Sequence, residues 1–205
     1  MTNRKLVRGD FLERLKEIAR QRPAGILLRE KDLTPEEYRK LAREVQSICK
    51  KAGVPCILHS FTGVAEELEA DALHLPLPLL RKLPGEDRGR FRQLGASCHS
   101  VADAREAQSL GCTYITAGHI FDTDCKRGLP GRGLDFLREV CGAVTIPVYA
   151  IGGIEPKRMA EIFAAGAAGA CVMSGPMVCE DVGTYFADFA GAGKAAAAAV
   201  CGETE

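Results

Sequence analysis

Short β-type runs alternate with amphipathic helical segments along the whole chain, and this restricts it to few architectures. The runs cover residues 4–7, 24–28, 55–58, 72–75, 93–97, 113–117, 146–151 and 169–173. A helical pattern follows each one, at the roughly 20 to 30 residue spacing of a βα unit. Most runs are apolar on consecutive residues, as in AGILL and IPVYAI, which is the pattern of strands covered on both faces in a parallel sheet. Eight such units in 205 residues predict an α/β fold of the (β/α)8 TIM barrel type. A single barrel domain is expected over 1–190, with a low-complexity, alanine-rich tail over 191–205. An open doubly wound sheet is the competing arrangement.

The helix boundaries carry their own signals. Thr34-Pro35-Glu36-Glu37 is a capping box with proline in the first turn, and Gly53 is the stop; Leu41, Val45 and Ile48 are the expected inward face. Ser100 with Asp103 starts another helix, and Pro84-Gly85 splits 79–92 into two short pieces.

Charge is balanced, 27 basic against 27 acidic side chains, which argues against a general affinity for nucleic acid or an anionic membrane. Aromatics are 6% and tryptophan is absent, so base-stacking surfaces are not expected. The N-terminal residues lack the apolar core of a signal peptide, and no run reaches the roughly 20 apolar residues of a membrane span. Nine cysteines, an odd number without a CxxC pair, point to reduced thiols in a cytoplasmic protein.

Chemistry-bearing residues gather where the strands end. His59, His74, His99 and His119 fall at or near the ends of four runs, Arg29 and Lys31 follow another, and Gly152-Gly153 and Ser174-Gly175 follow the last two. In a (β/α)8 barrel those ends form the active rim. Gly152-Gly153 and Ser174-Gly175 stand between strand and helix, where exposed N–H groups can cradle a phosphate. Arg29 and Lys31 offer charge for a second anion; the competing assignment pairs them with Glu30 and Asp32. His74, within its run, fits a packed role. His59 and His99 stay open between packing and chemistry. His119, at the first bend of the long polar stretch GHIFDTDCKRGLPGRG, is the candidate catalytic acid–base group. No pair of carboxylates stands at neighbouring strand ends, so no metal site and no cofactor are expected.

Nearly the whole chain resembles the thiamine phosphate synthase superfamily of (β/α)8 barrels. The resemblance is carried by Arg29-x-Lys31, Leu73-His74-Leu75, Ser97-x-His99, Thr123-x-x-Lys126 and the AIGGI run. It implies one of two activities. The synthase joins a pyrimidine diphosphate to a thiazole phosphate, and two aspartates hold its magnesium. At the matching positions this chain has Leu27 for a glutamine, His59-Ser60 for an Asn-Asp pair and Leu79 for the last aspartate. The other branch, the TenI-type thiazole tautomerase, is similar to GHIFDTDCKRGLPGRG nearly throughout.

The expected function is therefore isomerisation of a dihydrothiazole carboxylate phosphate to its aromatic tautomer, with His119 moving the proton. Thiamine phosphate synthase and a non-catalytic thiazole-phosphate-binding regulatory barrel are the alternatives. The resemblance implies a substrate-binding set of Arg29, Lys31, His59, Ser97, Thr123, Asp124, Cys125, Lys126, Gly153, Met173 and Ser174. The expected partner is a small thiazole phosphate; a homodimer is left open.

Overall fold

The computed structural model describes residues 1–123, 126 and 128–201, with side chains through residue 192. Among the described residues there are seven strands: β1 (Ile26–Leu28), β2 (Cys56–His59), β3 (Ala72–Pro76), β4 (Gln93–Cys98), β5 (Tyr114–Gly118), β6 (Val148–Ile151) and β7 (Gly169–Cys171). They lie in chain order in one sheet. The β1–β2, β2–β3, β5–β6 and β6–β7 pairs are parallel. The helices are α1 (Phe11–Arg20), α2 (Pro35–Ala52), α3 (Thr62–Glu67), α4 (Leu77–Lys82), α5 (Gly85–Arg88), α6 (Val101–Ser109), α7 (Gly133–Ala143), α8 (Met159–Ala164), α9 (Ser174–Val178) and α10 (Val182–Cys201). The parallel α/β class is as expected. The eighth strand is not, because Arg4–Leu6 forms a 3-10 turn instead. There the N–H of Val7 closes back on the Arg4 carbonyl, and the N–H of Arg4 goes to the Glu30 carboxylate rather than to a neighbouring strand.

The chain divides into two compact units, residues 1–96 with 173–183 and residues 97–172 with 184–205. In the first, β1, β2 and β3 are in register as Leu28↔Leu58 and His59↔His74. The capping box forms as predicted: the Thr34 hydroxyl accepts from the Glu37 N–H, and the Glu37 carboxylate accepts from the Thr34 N–H. Gly53 takes the left-handed conformation that ends α2. The buried face of α2 is Tyr38, Ala42, Val45 and Cys49, while Leu41 and Ile48 are half-buried. The helix is rotated from the expected face, and the turn brings the Tyr38 hydroxyl inside.

In the second unit, β5, β6 and β7 align as Gly118↔Ile151 and Ile151↔Cys171. Ser100 caps α6 by accepting from the Asp103 N–H. A 3-10 turn, Pro156–Arg158, precedes α8. α10 continues through most of the alanine-rich tail. No helix among the described residues is long and apolar enough to cross a membrane. The described cysteines are free thiols, with Cys49, Cys98 and Cys112 buried.

Candidate active site

In the first unit the site begins with one tyrosine. Tyr38 is fully buried; its hydroxyl donates to the Leu28 carbonyl at 2.7 Å and accepts from the His59 N–H at 2.9 Å. It thus clips the ends of β1 and β2 together, and its ring stacks on Phe61 at 4.2 Å. Burial, opposed in part by the His59 hydrogen bond, pushes its phenol well above the usual range, so it stays a neutral donor. Sequence reading passed over Tyr38, although its place in the 38, 42, 45, 49 helical spacing was a signal.

Parallel register puts His59 and His74 side by side, with rings stacked at 5.8 Å. The Nδ1 of His59 is 2.7 Å from the Ser60 hydroxyl. Burial is the main cause that lowers both imidazoles to a pKa of about 3; His59 is depressed further by His74, Arg29 and Lys31. Both rings are therefore neutral near pH 7. The cationic residues that act on His59 are those predicted to bind an anion. The neighbouring carboxylates bind the N-terminal residues: Glu30 pairs with Thr2 and Arg4, and Asp32 with Arg4 and Lys5. Met173 and Ser174 lead into α9, whose five residues are too few for a strong helix-end field.

In the second unit His99 follows β4 directly. Its Nδ1 is 2.8 Å from the Gly118 carbonyl. A carbonyl only accepts, so Nδ1 carries a proton and donates to it. Its backbone N–H donates to Asp103, which fixes the residue at the start of α6. His119 follows β5, and its Nε2 lies 3.1 Å from the Leu129 carbonyl. By the same reasoning its Nδ1 is the basic position when the ring is neutral.

The Gly152-Gly153 pair is required by packing. Both residues have positive φ, 98° and 64°. A side chain on Gly152 would strike His119, and one on Gly153 would strike Phe121 and the Asp122 carbonyl. The N–H groups of Ile120 and Phe121 donate to the carbonyls of Ile151 and Gly152. The glycines thus seat the His119 bend, a role separate from any phosphate. Thr123 accepts from the Lys126 N–H at 2.9 Å. Ser97 is a half-buried residue of β4. Asp124 and Cys125, expected in the substrate loop, lie outside the described residues.

The resemblance raises the question of magnesium. His59, Ser60 and Leu79 stand where its ligands are implied, and none offers a carboxylate. His59 is neutral and bonded to Ser60, and Leu79 has no donor atom. No group of three His, Cys, Asp or Glu side chains among the described residues is placed to hold a metal. A hard cation that prefers several oxygen ligands does not fit this donor set.

A parallel α/β sheet in chain order carries basic and imidazole side chains at its strand ends, the place where enzymes of this architecture build their sites. Residues 1–175 match the family described as Thiamine monophosphate synthase, and the chain belongs to that family. It is 38% identical to a thiamine-phosphate synthase of Moorella thermoacetica over 165 residues, covering 77% of this chain and 76% of that one. It is 32% identical to the thiamine-phosphate synthase of Syntrophomonas wolfei over 189 residues, covering 89% of this chain and 88% of the other. Among solved structures, thiamine phosphate pyrophosphorylase from Pyrococcus furiosus superposes with a TM-score of 0.82 at 26% identity, covering 95% and 94% of the two chains. These relatives overturn the expectation of a thiazole tautomerase. The likeness of the His119 loop to that branch is local, whereas identity to proteins named as synthases extends over most of the chain.

Proposed function

We propose that the chain is a thiamine-phosphate synthase, a transferase that joins a pyrimidine diphosphate to a thiazole phosphate. The observation that carries this reading is identity of 32–38% to named synthases over 77–89% of the chain. In the reaction a C–N bond forms between the thiazole nitrogen and the pyrimidine methylene carbon. The C–O bond to the diphosphate breaks, and pyrophosphate leaves with the electron pair. Arg29 and Lys31 supply positive charge for that leaving group, and preorganised charge at the place where charge develops is an effective form of catalysis. The neutral His59–Ser60 pair supplies hydrogen bonds without adding a competing negative charge. The test is chromatographic detection of thiamine phosphate from the two substrates. Substrate turnover without that product, or none at all, removes the assignment.

A second reading is favoured by one observation, the replacement of the implied metal-binding carboxylates by His59, Ser60 and Leu79. Under it the chain binds thiazole phosphate without coupling it. Calorimetric binding of thiazole phosphate with no product in the same sample would select it.

A further inference from the structure

The N-terminal residues lie along the end of β1 as a strap. The Thr2 N–H donates to the Leu27 carbonyl at 2.9 Å, and the Thr2 hydroxyl accepts from the Arg29 N–H at 2.9 Å. The same hydroxyl donates to the Glu30 carboxylate at 2.7 Å. Glu30 is 2% exposed and also accepts from the Arg4 N–H at 3.0 Å and from its guanidinium at 3.2 Å. Arg4 then reaches Asp32 with two parallel bonds of 2.6 and 2.8 Å, and Lys5 adds a contact at 3.0 Å. A buried carboxylate is tolerated only when it is paired and hydrogen-bonded throughout, and Glu30 meets that condition. Hydrogen bonds to Arg4 and then Lys5 hold the Asp32 carboxyl well below the usual carboxylate range.

The sequence Arg29-Glu30-Lys31-Asp32 would be self-neutralising if its own charges paired. The strap engages both carboxylates instead, and its Thr2 hydroxyl also holds the Arg29 backbone N–H. The strap also packs against α9, which starts at Ser174. We infer that residues Thr2 to Lys5 are a positioning element for an anion site at Arg29 and Lys31, with Glu30 as its buried anchor and a phosphate or diphosphate group as the ligand. Glu30 and Thr2 touch no substrate in this arrangement; they act through the backbone of Arg29 and through Arg4. The inference rests on the proposed function only for the identity of the anion.

Glu30→Gln separates positioning from simple charge. Removing a negative charge near an anion site tightens anion binding if charge alone matters. Loss of the anchor loosens it if Glu30 positions the site. The probe is inorganic pyrophosphate, titrated calorimetrically into the full chain carrying a C-terminal tag. Thr2→Val is the charge-neutral companion, and it covers the case in which Glu30→Gln fails to fold. Both variants are expected to weaken pyrophosphate binding about tenfold, the loss of one charge-assisted hydrogen-bonded contact. In turnover they are expected to raise KM for the diphosphate substrate with kcat within about twofold. Unchanged or tighter pyrophosphate binding in folded variants overturns the inference, as does absence of pyrophosphate binding to the wild-type chain. Pyrophosphate binding that weakens in the variants, in a chain that makes no thiamine phosphate, supports the strap while removing the synthase assignment.

Discussion

Tyr38, His59 and His74 are buried and neutral at the strand ends of the first unit. Tyr38 shows why this matters, since its hydroxyl satisfies both a carbonyl of β1 and an N–H of β2. Tyr38→Phe leaves both groups buried without a partner, and chemical denaturation is expected to show a loss of about 1–3 kcal/mol. The two histidines add a pH dependence. Their native pKa of about 3 lies below the ordinary value near 6.5. Between those values the unfolded chain binds more protons than the native one, so unfolding is favoured as pH falls through that window. The limiting slope is about 1.4 kcal/mol per pH unit for each histidine. His74→Asn is expected to flatten the acid limb of a stability profile between pH 6 and 4; an unchanged limb would mean that His74 is not buried in its neutral form. The sequence marked these histidines as strand-end residues. It could not reveal that parallel register sets them side by side, because register depends on pairing between segments far apart in the chain.

Elements that depend on local signals were legible. The Thr34 capping box, the Gly53 stop and the Ser100 cap all formed where their side chains predict, because each is decided within four residues. Thr34→Ala is expected to lower stability by about 1 kcal/mol. Elements decided by distant partners were read less well. Residues 4–7 resemble a strand in composition, yet the N–H of Arg4 is drawn to a carboxylate 26 residues away. Gly152-Gly153 is legible in the sequence as a special turn suited to a phosphate, but the packing it serves is not. The structural demand is the His119 bend packed against it. Gly153→Ala introduces a side chain at positive φ against Phe121, and thermal denaturation is expected to show a loss of about 2–5 kcal/mol. A neutral outcome would return the pair to a purely ligand-binding role.

For the molecule as a whole, the alternating pattern identified the parallel α/β class and strand order follows the chain. Family membership was also legible, through Arg29-x-Lys31, Ser97-x-His99 and AIGGI. The branch within the family was misread. The loop from 118 to 133 is a short stretch with a vivid pattern, and it outweighed the more even similarity spread across the remaining chain. The missing carboxylates at His59, Ser60 and Leu79 pushed in the same direction. They bear on how charge is managed at the site, and titrating magnesium into the chain alone is expected to give no saturable heat, as the donor set there implies. The central claim is coupling of two heterocycles with loss of pyrophosphate. Its most direct measurement is a mass spectrum of the chain incubated with the pyrimidine diphosphate and the thiazole phosphate. Thiamine phosphate and pyrophosphate accumulating together, in equal amounts, is the expected result. Intact substrates after prolonged incubation with a folded chain that binds thiazole phosphate would contradict it.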